Sequence, residues 1–156
     1  MHFDFSVILC YRHSNDRIKP LRRVLDWLKT FDKCQVILVE QDTNSKIDHL
    51  NLACEHIFVK NSGLFNKAWG FNIGLKYSQS ERIVFSDTDI VMDQKKFLQG
   101  LKQLSNYEMV SPYTKVIDLN PDESNIPFKD MFLTQRTGRG ENDIQKINIC
   151  GGIAMF

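Results

Sequence analysis

Two aspartates one residue apart, Asp87 and Asp89, stand where the apolar run Ile83-Val-Phe-Ser86 gives way to polar sequence. On an extended chain, side chains two apart point to the same side, so both carboxylates can face one ion while Thr88 faces away. Ser86 and Thr88 offer hydroxyl oxygens beside them. Hard divalent cations such as Mg2+ and Mn2+ take oxygen ligands and often arrive with a phosphate-bearing substrate that completes their shell. Few protein ligands are then needed. An isolated pair of this spacing is also what a strand leaves at a solvated turn; the β-prone run ahead of it favours the metal reading.

Other chemistries find less support. Cys10, Cys34, Cys54 and Cys150 show no C-x-x-C spacing and read as buried, reduced thiols. His2, His13, His49 and His56 lack the spacing of a zinc site. Twenty basic and nineteen acidic residues leave a net charge of +1 with no long run of either sign, which excludes an extended nucleic-acid surface. No stretch approaches a membrane span, and no leader pattern opens the chain. The expected location is cytoplasmic, either free or peripheral to a membrane.

The elements that must hold the two carboxylates follow from periodicity. At 156 residues and 42% hydrophobic content the chain, 1–156, is one domain with ample material for a core. Phe5-Ser-Val-Ile-Leu-Cys10 and Gln35-Val-Ile-Leu-Val-Glu40 read as buried strands. Between them Ile18, Leu21, Leu25 and Leu28 recur at helical spacing, with Asn15 or Asp16 as cap and Pro20 in the first turn. Ile57-Phe-Val59 is a third short strand, Asn61-Ser-Gly63 a turn, and Asn66 caps a helix from Lys67 to about Tyr77. Gly70 and Gly74 on that helix mark either a face closely approached by backbone or ligand, or a loosely packed helix. The Ile83–Asp89 strand comes next, then an amphipathic helix on Phe97, Leu98, Leu101 and Leu104 and the short run Met109-Val-Ser111. Alternating strands and helices predict a three-layer αβα fold with a mainly parallel sheet, including Phe5–Cys10, Gln35–Glu40 and Arg82–Ser86. Ligands bind such sheets at the carboxyl ends of the strands. That rule gathers Tyr11, Arg12, Glu40–Asp42, Gly63–Lys67 and Asp87–Asp89 at one edge.

Residues 120–143 shift to Pro, Asp, Ser, Asn and Gly and read as a long mobile loop, either a lid or a segment with no role. Lys146-Ile-Asn-Ile-Cys150 regains strand character before Gly151-Gly152. The chain stops on the apolar run Ile153-Ala-Met-Phe156, from which we expect a domain incomplete at its C-terminus. Apolar surface at Ile153 and Phe156 would then be left for a dimer partner or a missing segment.

Three stretches resemble glycosyltransferases of the GT-A fold, most closely the β-1,4-galactosyltransferase type of catalytic domain. Val7-Ile-Leu-Cys-Tyr-Arg12 resembles that family's first strand and Phe-Arg turn. Phe65-Asn-Lys-Ala68 with Asn72-Ile-Gly74 resembles its Phe-Asn-Arg-Ala and Asn-Val-Gly, and Phe85-Ser-Asp-Thr-Asp-Ile90 its Phe-Ser-Asp-Val-Asp-Leu. Cys150-Gly-Gly-Ile153 resembles the Gly-Gly turn beside the donor sugar. The resemblance implies a nucleotide-sugar donor, UDP-linked, and an acceptor that is a glycan or another hydroxyl. It places Tyr11 and Arg12 beside the nucleotide, Phe65 against the base, and Lys67 near the phosphates. Asp89 would ligate Mn2+ or Mg2+, with Asp87 beside it on the ribose or a neighbouring cation. Gly151 and Gly152 would let the sugar approach the backbone, and Asp42 would reach uracil or ribose. Cys10 stands where the family has proline, and Lys67 lacks the flat bidentate fork of the family's arginine.

Transfer with inversion needs a carboxylate to take the acceptor's proton. In the family resembled it lies beyond the Gly-Gly turn, followed by a histidine ligand, and this sequence contains neither. Asp122, Glu123, Glu141 and Asp143 do not match in order, so no catalytic base is assigned. One rival is a metal-dependent nucleotidyltransferase, from which we expect a glycine-rich loop after the first strand; Cys10–Asp16 contains no glycine. The other is a non-catalytic or truncated nucleotide-sugar-binding domain.

Overall fold

The apolar runs become adjacent strands, and the stretches of helical period become the layers that cover them. The computed structural model describes residues 2–113, 116–119 and 152–156. In chain order these form β1 (Phe5–Tyr11), α1 (Ile18–Leu28), β2 (Cys34–Asp42), a single 3-10 turn at Asp48–Leu50, and β3 (Glu55–Lys60). There follow α2 (Lys67–Leu75), β4 (Ile83–Ser86), α3 (Gln94–Gln103) and β5 (Ile153–Met155). The sheet runs β3-β2-β1-β4-β5, with the first four strands parallel and β5 antiparallel to β4. This is the expected αβα fold. The expected loop at 120–143 and the strand-like run at 146–150 lie outside the described residues.

β1 is buried along its whole length, as a central parallel strand covered on both faces must be. Its alternate residues divide the core. Phe5, Val7, Leu9 and Tyr11 join Leu21, Val24, Leu25 and Leu28 of α1 and Phe97 and Leu101 of α3. Ile8 instead joins Ile37, Val39 and Ile83 beneath Phe71 and Ile73 of α2. Phe5, Trp27, Phe31 and Phe97 interlock with ring centroids 4.9–5.8 Å apart, fixing α1 and α3 over the start of the sheet.

Four local expectations are corrected. Neither Asn15 nor Asp16 caps α1, since Arg17 holds the cap position and makes no side-chain bond to the helix. The Asp16 carboxyl is instead engaged by the Ser14 side chain, which holds it below its ordinary pKa. β2 continues through Gln41 and Asp42, because both pair with β3. β4 stops at Ser86, and Thr88 and Asp89 form a turn, so the common facing expected of Asp87 and Asp89 on an extended chain does not apply. Ile153, expected to be left unburied, is 1% exposed within β5, whereas Phe156 is 41% exposed.

Gly70 and Gly74 answer to the sheet. A Cβ on Gly70 would stand 2.6 Å from both Cys10 Sγ and Gln41 Nε2, and one on Gly74 would run into Ile8 and Val39. The glycines let α2 lie directly on β1 and β2. That close seat brings the amino end of α2 to the carboxyl end of β1.

Candidate nucleotide-sugar site

With β1 to β4 parallel, their carboxyl ends share one edge, and strand order reverses between β1 and β4. Such a reversal leaves a crevice between the two strand ends, because one connection leaves across each face of the sheet. α1 covers one face and α2 the other. Arg12 follows β1, Asp42 ends β2, the 61–66 segment follows β3, and Asp87–Asp89 follow β4.

A polar clasp shapes the segment before α2. Gln41, fully buried, donates from Nε2 to the Asn66 carbonyl at 2.7 Å. Its Oε1 accepts from Asn61 Nδ2 and from the Asn66 amide, each at 3.1 Å. Arg12 donates to the carbonyls of Gln41 (2.8 Å), Gly63 (2.7 Å) and Asn61 (3.1 Å). Its guanidinium also stands 5.9 Å from the centroid of the Phe65 ring. Asn66 Oδ1 accepts from the Trp69 amide at 2.9 Å, which caps α2 as expected. Lys67 is thereby fixed as the first helical residue.

Lys67 Nζ meets Asp87 Oδ1 across the crevice. The pair is partly exposed, at 42% for the Lys67 side chain and 30% for that of Asp87. Beneath it Cys10 donates its thiol to the Lys67 carbonyl at 3.5 Å. Burial pushes the Cys10 thiol up to about 12, with the Lys67 charge opposing and the Asp87 charge reinforcing. The Asp87 amide donates to the Gly152 carbonyl at 2.7 Å. Gly152 takes φ +78°, and a Cβ there would stand 2.7 Å from Ile90 Cδ1, so both conformation and space require glycine.

The structure therefore brings Arg12, Phe65, Lys67, Asp87 and Gly152 around one edge. Asp42 lies there too, its Oδ1 accepting from the Thr43 amide at 2.7 Å. Tyr11 does not open onto the edge: its side chain is fully buried in the core, and its hydroxyl bonds His13 Nδ1 at 3.2 Å. Gly151 lies outside the described residues, as do Asp122, Glu123, Glu141 and Asp143.

Asp89 is exposed and has no hydrogen bond or ion pair among the described residues. No group of three His, Cys, Asp or Glu side chains suited to a metal occurs among them either. One free carboxylate beside a second that is paired with an ammonium fits a hard divalent ion only if water or substrate oxygens fill most of the shell.

Sequence reasoning placed Glu40 and Gln41 at this edge but gave neither a role, and both are fully buried. The Glu40 carboxylate accepts from Ser45 Oγ (2.8 Å) and the Lys46 amide (2.8 Å) and pairs with His56 Nε2 (2.9 Å), tying the loop after β2 to β3. The available signal was the period of two: Ile37, Val39 and Gln41 continue one face, Leu38 and Glu40 the other.

A hollow of about 250 Å3, lined in part by Cys34, Gln35, Cys54 and Glu55, lies at the opposite, amino-terminal edge of the sheet. No helix among the described residues is long and apolar enough to cross a membrane.

No protein-family model and no curated protein sequence matches the chain. Solved structures do. The 4-diphosphocytidyl-2C-methyl-D-erythritol synthase of Anaerococcus prevotii is similar with a TM-score of 0.53 and 22% identity, over 75% of this chain and 60% of that one. S. aureus TarS 1-349 gives 0.52 and 18%, over 69% of this chain and 34% of that one. The mannosyltransferase PcManGT of Pyrobaculum calidifontis, solved with GDP-Man and Mn2+, gives 0.50 and 16%, over 68% and 33%. The chain thus spans between a third and three-fifths of the length of these neighbours. At such identities the likeness is one of fold, and the fold is the mostly parallel α/β sheet of the nucleotide-diphospho-sugar transferase type.

Proposed function

We propose that the chain is the donor-binding domain of a glycosyltransferase that takes a UDP-linked sugar with Mn2+ or Mg2+ and transfers it, with inversion, to a hydroxyl acceptor. The observation that carries the reading is the meeting of Lys67, at the amino end of α2, with Asp87 at the switch point between β1 and β4, two residues before Asp89, which is unpaired among the described residues. Charge of both signs at that crevice suits a diphosphate and its cation. The sequence resemblance to the β-1,4-galactosyltransferase type supports it independently, because Arg12, Phe65, Lys67, Asp87 and Gly152, which carry it among the described residues, lie along this same edge.

Breaking the anomeric bond leaves negative charge on the diphosphate, and donors already in place lower the barrier most. Lys67 supplies a full positive charge, and the first amides of α2, which lack intrahelical partners, add to it. Asp89 holds the divalent ion, which when bound supplies Lewis-acid stabilisation of the leaving diphosphate. Arg12 acts as a positioning residue, since its donors hold the 61–63 carbonyls and orient Phe65 toward the base. Asp42 faces the nucleoside, and Gly152, with Gly151 before it, lets the sugar near the backbone. The proton acceptor for the acceptor hydroxyl is not among the residues assigned. A nucleotidyltransferase shares this architecture, but the loop after β1 offers no glycine-rich phosphate cradle.

Calorimetry tests the reading. UDP and UDP-sugars should bind with Mn2+ and lose affinity on chelation, and Asp89→Asn should weaken binding by at least about 1.5 kcal/mol. Asp93→Asn should change little, because Asp93 caps α3 through the Lys96 amide at 3.0 Å and asparagine caps equally well. Nucleotide binding indifferent to chelator would remove Asp89 from the site. A GDP-linked donor bound more tightly than its UDP counterpart would correct the base.

A further inference from the structure

We propose that Lys67 is an internal counter-ion that keeps the metal position weak in the free protein and yields it when a nucleoside diphosphate arrives, so that nucleotide and cation load together. The inference rests on the reading of this edge as a nucleotide-sugar site.

Two observations carry it. The ammonium of Lys67 is paired with Asp87, so one of the two clustered carboxylates is already neutralised. Of the two clustered carboxylates, a divalent ion approaching the free protein finds Asp89 alone without a partner among the described residues, with a positive charge close by that repels it. The second observation is where that ammonium sits. Lys67 is the first residue of α2, where the helix dipole and unpaired amides disfavour a cation. Among the described residues its ion-pair partner is Asp87, with the Phe71 ring centroid 5.7 Å from Nζ as a further contact. The side chain is 42% exposed, so a ligand can reach the ammonium from the solvent side.

A diphosphate at the same helix terminus offers this ammonium a stronger anionic partner and restores the charge match that the helix end lacks. As Lys67 turns to phosphate, the Asp87 carboxylate is released beside Asp89, and the edge gains a net negative charge on the metal side. Coupling of this kind is reciprocal: whatever factor the nucleotide adds to metal affinity, the metal adds to nucleotide affinity.

The test measures Mn2+ binding by electron paramagnetic resonance on the whole chain, alone and with UDP. Wild type should bind Mn2+ weakly alone and more tightly with UDP. Lys67→Met keeps the apolar stem and removes the charge; it should bind Mn2+ alone about fivefold or more tightly than wild type, with a smaller enhancement by UDP. Lys67→Arg should resemble wild type, and adding Asp87→Asn to Lys67→Met should abolish the gain. Lys67→Gln serves the same comparison where the methionine variant does not fold. A charge-removing variant that binds Mn2+ alone no better than wild type overturns the counter-ion role while UDP binding by wild type stands. Wild type that binds no nucleotide, with or without Mn2+, overturns the site reading and this inference with it.

Discussion

Cys10 shows how strongly a neighbourhood sets the chemistry of a side chain. A thiol two residues before the polar loop can be read as reactive, yet it is 7% exposed beneath α2, and burial pushes it up to about 12. The thiolate is the nucleophile, so Cys10 should resist alkylation at pH 8 in the native state and react once urea unfolds the chain. The sign of its pH dependence follows. In the unfolded chain the thiol ionises near 9, so below that pH it contributes no difference between the states. As pH rises from about 9 to about 12 the unfolded state loses its proton first, and stability falls. Urea midpoints measured across that window should fall more steeply for wild type than for Cys10→Ala. Arg12 makes a comparable point. The resemblance implies a place for it beside the nucleotide; in the structure its guanidinium holds three backbone carbonyls. Arg12→Lys, which keeps the charge and loses the fork, should cost about 2 kcal/mol in urea unfolding. Unchanged stability would mean that the clasp is not formed in solution. A sequence announces a charge; it does not announce which carbonyls the folded chain will leave in need of donors.

Among the elements, α2 departs furthest from local propensity. Glycine in a helix interior costs up to about 1 kcal/mol relative to alanine, so on propensity alone Gly70→Ala and Gly74→Ala should stabilise. Contact with the sheet reverses the sign: the new methyls would meet Cys10 and Gln41 in one case and Ile8 and Val39 in the other. Overpacking of this kind should cost about 1–3 kcal/mol, readable as a lowered urea midpoint. A stabilised alanine variant would show that α2 sits further from the sheet. The spacing of the two glycines was legible in the sequence, and so were the Asn66 cap and the buried character of β1 and β2. What approaches the glycines was not, because that depends on β1 lying between β2 and β4, which no local period encodes. The same holds for the two aspartates. Their spacing was legible, but the end of the strand at Ser86 is set by pairing with β1, whose last partner is Leu9.

At the scale of the whole molecule, Ile153–Met155 add a fifth strand to the sheet of the described residues. Ile83 donates to the Phe156 carbonyl at 2.8 Å, Phe156 returns the bond at 2.8 Å, and Met155 exchanges bonds with Val110 at 2.9 Å each way. Ile153 and Met155 are buried in the larger core, and Met155 packs against Gly100, whose added Cβ would stand 2.9 Å from its sulfur. β4, which leads into the two carboxylates, is thus flanked on both sides, by β1 and by β5. The apolar character of Ile153–Phe156 fits either burial or an unsatisfied surface, and only the pairing decides between them. Met155→Ala removes a fully buried side chain at the end of the sheet and should destabilise by about 2–5 kcal/mol. The effect should reach the site. If β5 holds β4 in place, amide exchange at Ile83 and Asp87, which donate to Phe156 and Gly152, should quicken before that of the central strand β1. Metal-dependent nucleotide binding should weaken along with it, although Met155 lies in the core and touches neither carboxylate. Exchange that quickens uniformly across the sheet would instead mean that β5 adds only global stability and leaves the site to be positioned by α2 and β1.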